Sequence, residues 1–263
     1  RISHVNPEGA QRPNLSEGDR GNQQTTEWWV GFDADDTLWH NESYFIESYD
    51  LFAEVAAPYL ADFDDPAQAA HDLLIATETA NIPSFGYGIK GATISMIEAA
   101  ITASDGTIGA VELMRLIDRA KAMMDHPVEF LDGAVEALDA LSHHRLVLLT
   151  KGDLKDQHRK IDASSIAERF DAIEILHEKD HDSYLSAFAR HGIDPERFVM
   201  VGNSLKSDVL PILGLGGWAV HVPYVTTWAI EHAEEPVGHP RFRPALNLFE
   251  VPDLVEACLG GGT

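Results

Sequence analysis

Four stretches of the chain hold residues whose types and spacing suit work on a phosphoryl group. Asp33-Ala34-Asp35-Asp36-Thr37 places three carboxylates and a hydroxyl within five positions. In an extended segment the Asp33 and Asp35 side chains fall on the same side. One carboxylate can then attack while the other handles a proton. Farther along stand Thr150-Lys151, then Lys179, then Asn203-Ser204-Leu205-Lys206-Ser207-Asp208. Carboxylates, a hydroxyl, an ammonium and an amide together suit a hard divalent cation and a phosphoryl group. Any one of these residues alone reads as a turn residue, a helix cap or a solvated charge. The chemistry depends on the chain bringing them together.

The elements around them predict that it does. Trp28-Trp29-Val30-Gly31-Phe32 is an apolar run that stops at Asp33, and residues 146–149 form another that stops at Thr150. Residues 172–176 lead into Glu178-Lys179-Asp180, and residues 198–201 lead into Gly202-Asn203. Short apolar runs ending in polar residues predict buried strands, and a further strand is predicted over 219–222. Helices are predicted over 133–141, 155–161 and 183–191, the last closed by Gly192. The alternation predicts an α/β, Rossmann-like core: a parallel sheet flanked by helices, with its strand C-termini forming the site and Asp33 near the centre. Between the first two strands the text has helical spacing only, over 44–59, 67–79, 92–101 and 111–124, with 80–84 reading as a turn. Residues 43–126 are thus a mostly helical insert, and 27–42 with 127–263 form the core. Residues 1–26 read as a flexible tail without the apolar stretch of a secretory signal.

In these motifs, in order on alternating strands, the chain resembles the haloacid dehalogenase superfamily, over roughly residues 28–223. Asp-x-Asp-x-Thr stands as Asp33 to Thr37, the strand-ending hydroxyl as Thr150, the lone lysine as Lys179, and the acidic pair after Val-Gly as Asn203 to Asp208. The resemblance implies a phosphatase with a helical cap. Asp33 would be the nucleophile that forms an aspartyl-phosphate, and Asp35 the general acid and base, its proton favoured by the charge of Asp33. Mg²⁺ would be held by Asp33, the Asp35 carbonyl, Asn203 and Asp208. Thr37, Thr150, Lys151 and Lys179 would meet the phosphoryl group, although Lys151, like Lys206, also reads as a surface charge. One departure stands out: Asn203 replaces the usual Asp, which predicts weaker metal affinity and a larger share for Asp208.

Two readings compete within this frame. A halide-removing hydrolase also uses an Asp nucleophile, and Asn203 fits that branch, but it needs neither a metal nor Asp35. A phospho-accepting signalling module or an inactive binding protein is the second, though a receiver-type module has no large insert after its first strand. Other patterns carry less. His177-Glu178-Lys179-Asp180-His181 matches a zinc-protease signature but crosses a strand–loop boundary instead of lying on one helix. Gly86-Tyr87-Gly88-Ile89-Lys90-Gly91 matches a dinucleotide fingerprint but lacks a preceding strand. It reads as a cap loop whose Phe85 and Tyr87 are candidates to face substrate. His143-His144 reads as a charge complement at a helix C-terminus, and His221 and His232 lack partners at metal-like spacing.

Composition sets the outer limits. The chain has 263 residues, with 43 Asp+Glu against 19 Lys+Arg and a formal net charge of −24. Such acidity argues against nucleic acid or an anionic membrane as partner, and no apolar run is long enough to span a bilayer. It also means that a phosphorylated substrate needs a local reversal of the field. The single cysteine, Cys258, excludes an internal disulfide. The expected partner is a small phosphorylated metabolite, since a protein surface would not fit beneath a cap, and the expected location is cytoplasmic.

Overall fold

Strand β1 (Trp29–Phe32) is buried at every position, as a strand in the middle of a covered parallel sheet must be. The structure, a computed structural model, describes residues 27–226 and 228–260; the tail predicted over 1–26 lies outside the described residues. After β1 come α1 (Glu42–Ala56), α2 (Pro66–Phe85), α3 (Ile89–Ala103), α4 (Ala110–Met124) and α5 (Ala134–Ala140). Strand and helix then alternate as β2 (Arg145–Lys151), α6 (Leu154–Ser164), β3 (Ala172–Leu176), α7 (His181–His191), β4 (Phe198–Gly202), α8 (Leu210–Gly214) and β5 (Trp218–His221). Strand β6 (Phe242–Pro244) and α9 (Val251–Gly260) close the chain.

The six strands are parallel, in the order β3-β2-β1-β4-β5-β6. The order reverses beside β1, where Phe32 pairs with Leu148 on one side and Val201 on the other. Ligand crevices form at such reversals, outside the strand C-termini. Alternate residues feed two cores. Val30, Phe32, Leu148 and Val201 pack with Leu138 of α5 and Val255 of α9. Trp29, Val147, Leu149 and Met200 pack with Tyr184 and Phe188 of α7. On the second face Gly31 must be glycine, because a Cβ there would lie 2.3 Å from Phe198 Cζ. A third core, including Phe52, Leu74, Met96 and Leu116, joins α1 to α4 to one another, separate from the sheet. Leu74 is fully buried there, and truncating such a residue to Ala costs roughly 2–5 kcal/mol.

Local chemistry starts and stops the helices that matter. Asp65 caps α2 through Gln68 N (3.1 Å), Asp153 caps α6 through Asp156 N (3.0 Å), and Asp180 caps α7 through Ser183 N (2.8 Å). Gly192, at φ 67°, ends α7. Two expectations need correction. Residues 80–84 are not a turn: α2 runs through them to Phe85 with Pro83 inside. The proline sits in the last turn, where Gly86 N still closes on the Ile82 carbonyl at 2.8 Å. Strand β6 and helix α9 were not foreseen, and β6 has only three residues, one of them proline.

Candidate active site

Asp33 follows β1 directly, its N–H donating to the Val201 carbonyl at 2.9 Å. Its side chain is therefore fixed at the C-terminal edge of the central strand. Lys179, placed by the turn between β3 and α7, donates to Asp33 Oδ1 and to Asp208 Oδ1, the latter at 2.6 Å. All three side chains are nearly inaccessible to solvent. The Thr37 hydroxyl lies 3.0 Å from Asp33 Oδ2 and 3.3 Å from Asn203 Oδ1; its one proton serves one of them at a time. Asp208 also accepts from Ser204 N at 3.0 Å. It comes this close only because Gly202 has no side chain: a Cβ there would lie 2.3 Å from the Asp208 carboxyl carbon.

Burial pushes the Asp33 carboxyl up to about 7, with Asp208 and Asp35 adding to the rise and Lys179 opposing it. Burial by itself would lower Lys179, but the carboxylates of Asp208 and Asp33 more than reverse this and hold it above its ordinary value. The ammonium is thus the permanent charge at the bottom of the site.

Asp35 is held differently. Lys160 Nζ lies 2.7 Å from both of its oxygens, Gln157 Nε2 donates at 2.8 Å and Trp39 Nε1 at 2.7 Å. Gln157 and Lys160 share the inner face of α6, one turn apart. The other end of the Gln157 amide accepts from the buried Thr150 hydroxyl at 3.3 Å. The charge facing Asp35 is therefore Lys160 as well as Asp33, and neither Lys160 nor Gln157 belongs to any of the motifs. Asp36 is another residue missed in the sequence. It sits at φ 62°, a conformation Asp tolerates better than most, and accepts from Asn41 N and Glu42 N at 2.9 Å each, tying the motif to the start of α1.

One cavity of about 160 Å³ gathers Asp33, Asp35, Thr150, Lys151, Lys179, Asn203 and Asp208, all anticipated from the sequence. Thr37 stands behind Asp33, outside the lining. Lys151 is no free surface charge: its Nζ meets Glu231 Oε1 at 2.7 Å and Ser207 Oγ at 3.0 Å, and lies 4.2 Å from the Tyr87 ring centroid. Glu231 is drawn down to about 2, because Lys151 and the hydroxyls of Ser204 and Ser207 outweigh its burial. Lys206 is exposed and donates to the Ile230 carbonyl at 2.8 Å.

The helical block meets the core at this cavity. Tyr87, between α2 and α3, donates to Glu178 Oε2, and Lys90 pairs with Asp153 at 2.8 Å. Tyr87 lines the cavity as anticipated; Phe85 is half-exposed and does not. The glycine-rich stretch at 86–91 is only in part the loop anticipated: residues 86–88 join α2 to α3, and 89–91 are the first turn of α3, so no strand precedes it. His177 follows β3 and His181 opens α7, so the protease-like pattern is not on one helix. His143 and His144 do follow α5, but they bond Glu256 of α9, at 3.0 and 2.7 Å.

A buried parallel sheet presenting an acidic motif, a hydroxyl, a lysine and an amide–carboxylate pair at one edge defines a class of hydrolase. The chain belongs to the haloacid dehalogenase-like hydrolases: the model of that family matches residues 29–216. It is similar to a haloacid dehalogenase-like family hydrolase from Xanthomonas campestris, at 37% identity and a TM-score of 0.77, covering 89% of this chain and 93% of that one. It is also 36% identical over 121 residues to N-acylneuraminate-9-phosphatase of Mus musculus. That match takes in 43% of this chain and 46% of the relative, so the chain spans less than half the length of that phosphatase. L-2-haloacid dehalogenase from Xanthobacter autotrophicus shares the fold, with a TM-score of 0.58 at 15% identity over 88% of this chain and 99% of that one.

Proposed function

We propose that this chain hydrolyses a small phosphomonoester, with Asp33 as nucleophile and an aspartyl-phosphate as intermediate. The observation that carries the reading is the Asp33–Lys179–Asp208 arrangement, buried at the end of the central strand and opening onto the same cavity as Asp35. Asp33 Oδ1 is bound by an ammonium and Oδ2 by a hydroxyl, which aims the carboxylate. Attack transfers the phosphoryl group to Asp33 and frees the alcohol oxygen, which takes a proton from Asp35. Lys160, in contact with both Asp35 oxygens, holds the carboxyl in place and leaves it ionised once that proton has gone. Asp35 then accepts a proton from the water that attacks the aspartyl-phosphate, and phosphate leaves. Thr150 turns from Gln157 to a phosphoryl oxygen, while Lys179 balances charge on the transferring group.

The donors here fit Mg²⁺. Asp33, Asp208 and Asn203 offer oxygen only, with no thiolate or imidazole, and the Asp33 and Asp208 carboxylates converge on a single ammonium. Asp33, Asp208, Asn203 Oδ1 and the Asp35 carbonyl would hold the ion. When bound, Mg²⁺ would supply the positive charge that lets an anionic nucleophile and an anionic ester approach each other. Asn203 brings no formal charge, so affinity for the ion is lower than a carboxylate there would give.

Residues 43–126 act as the cap, latched to the core by Tyr87–Glu178 and Lys90–Asp153. A cap restricts the site to small molecules and excludes water; the relative named for N-acylneuraminate-9-phosphate puts sugar phosphates among the esters to assay. No helix among the described residues is long and apolar enough to cross a membrane, and the cytoplasm is the proposed location. The test measures phosphate release from p-nitrophenyl phosphate and halide release from 2-chloropropionate, each with Mg²⁺ and with EDTA. Phosphate release that needs Mg²⁺ and disappears in Asp33→Asn is expected. Halide release that persists in EDTA would replace this reading with dehalogenation.

A further inference from the structure

The alcohol end of the cavity is acidic and unsatisfied. Glu78, on α2, is 4% exposed, lines the cavity, and neither of its carboxylate oxygens has a hydrogen-bond partner. Glu42, at the start of α1, lines the same end. Neither residue has an ion pair among the described residues. The lysines of the cavity are already committed elsewhere: Lys179 to Asp33 and Asp208, Lys160 to Asp35, and Lys151 to Glu231.

Burying a carboxylate without a partner is costly, and native chains rarely leave one in that state. Burial holds Glu78 up at about 7 and Glu42 at about 8, with Glu42 pushed further by Asp36 and Glu78. Two neighbouring side chains are also unsatisfied. Trp228 Nε1 and Thr226 Oγ1 are buried, line the cavity and have no hydrogen-bond partner. The Trp228 indole is close enough to Glu78 to temper its rise, yet no well-formed hydrogen bond joins them. The aromatic rings of Tyr49, Tyr87 and Trp228 complete this end, and ring faces attract ammonium groups.

Resting on the phosphatase reading above, we propose that the substrate is a phosphomonoester whose alcohol portion carries a protonated amine, set against Glu78 and Glu42, and no carboxylate. The ammonium satisfies the free oxygens of Glu78. A hydroxyl or ether oxygen of the same molecule accepts from Trp228 Nε1 and Thr226 Oγ1. A sugar-acid phosphate would instead place a carboxylate beside two others. Amino alcohol and amino sugar phosphates have the required chemistry.

Binding and turnover are measured apart. Calorimetry on Asp33→Asn, with Mg²⁺ present, compares ω-aminoalkyl phosphates of graded length with their ω-hydroxy and ω-carboxy partners. The best amine should bind at least about tenfold more tightly than its hydroxyl partner, and the carboxylate partner more weakly than either. Adding Glu78→Gln, which keeps the side-chain volume, should reduce the amine's advantage to below about threefold. The melting temperature of Glu78→Gln should be unchanged or higher, since it removes an unpartnered buried charge; Glu78→Leu serves as a second variant. ω-Carboxyalkyl phosphates bound as well as the amines, or an advantage that survives both variants, would overturn the assignment. Hydrolysis of p-nitrophenyl phosphate by the unaltered enzyme reads the phosphatase separately. If that fails while the amine preference holds, the catalytic reading falls and the pocket assignment stands. Hydrolysis without amine preference overturns the pocket assignment and leaves the phosphatase standing.

Discussion

Lys179→Met exposes how the site holds its charges. The Lys179, Asp33 and Asp208 side chains are 2%, 8% and 1% exposed, so water cannot replace the ammonium. Its loss leaves two buried carboxylates facing each other. Breaking a buried pair in this way costs roughly 3–5 kcal/mol. For a chain of this size that lowers the melting temperature by roughly 6–20 °C. The sign with pH follows from the same charges. Lys179 opposes the rise of the Asp33 carboxyl, so in the variant that group is held higher still and stability falls further as pH rises. Below about pH 7 Asp33 is protonated in both proteins, so the deficit should be smaller near about pH 5 and widen as pH climbs past about 7. Mg²⁺, as a replacement cation, should recover stability in the variant more than in the unaltered chain. Thermal unfolding of both proteins at the two pH values, with and without Mg²⁺, measures all of this. Equal melting temperatures at about pH 8 would mean that Lys179 is not the counter-ion.

Other consequences follow from neighbouring residues. Asn203→Asp adds a formal charge to the oxygen set and should lower the Mg²⁺ concentration for half-maximal activity by about tenfold or more; an unchanged titration would remove Asn203 from the ligands. Lys160→Met should slow hydrolysis of an alkyl phosphate by roughly 10²-fold or more while affecting p-nitrophenyl phosphate far less, because only the poor leaving group needs the proton of the Asp35 carboxyl that Lys160 positions. Equal losses on both esters would assign Lys160 a purely structural part. Glu78 rises from 4.5 to about 7 on folding, so it costs stability that appears as pH climbs above 4.5 and is complete above about 7, at most about 3 kcal/mol. Glu78→Gln should therefore raise the melting temperature at about pH 8 and leave it unchanged at about pH 4; a shift equal at both would show that Glu78 has a partner.

Much of the core was legible because parallel strands buried on both faces are written as unbroken apolar runs, and those of β1, β2 and β4 stop at or beside a residue that lines the cavity. Asp33, Thr150 and Asn203 all stand directly beyond such runs or at their ends. Lys179 follows from the turn after β3 and the Asp180 cap of α7. Gln157 and Lys160 were not legible as site residues, since nothing in a polar helix says which face turns inward until β1 is placed beside it. The same limit hid Glu78 and Trp228, which meet only when the helical block closes over the core. Pro83 misled by its type: proline cannot donate the bond its position would give to the Thr79 carbonyl and so reads as a helix break, yet α2 runs through it to Phe85. Asp36 gave a faint signal as a third carboxylate in the motif, and its part is architectural, capping the chain's entry into α1. Strand β6 is too short to show any alternation.

The proposed chemistry requires phosphorus to be bonded to Asp33 during turnover. Rapid acid quench of the enzyme with a phosphomonoester and Mg²⁺, followed by peptide mass spectrometry, detects that bond. One added HPO₃ is expected on the peptide containing Asp33, absent in Asp33→Asn. Steady turnover with that peptide unmodified at every quench time, and with Asp33→Asn still active, would rule out the covalent intermediate.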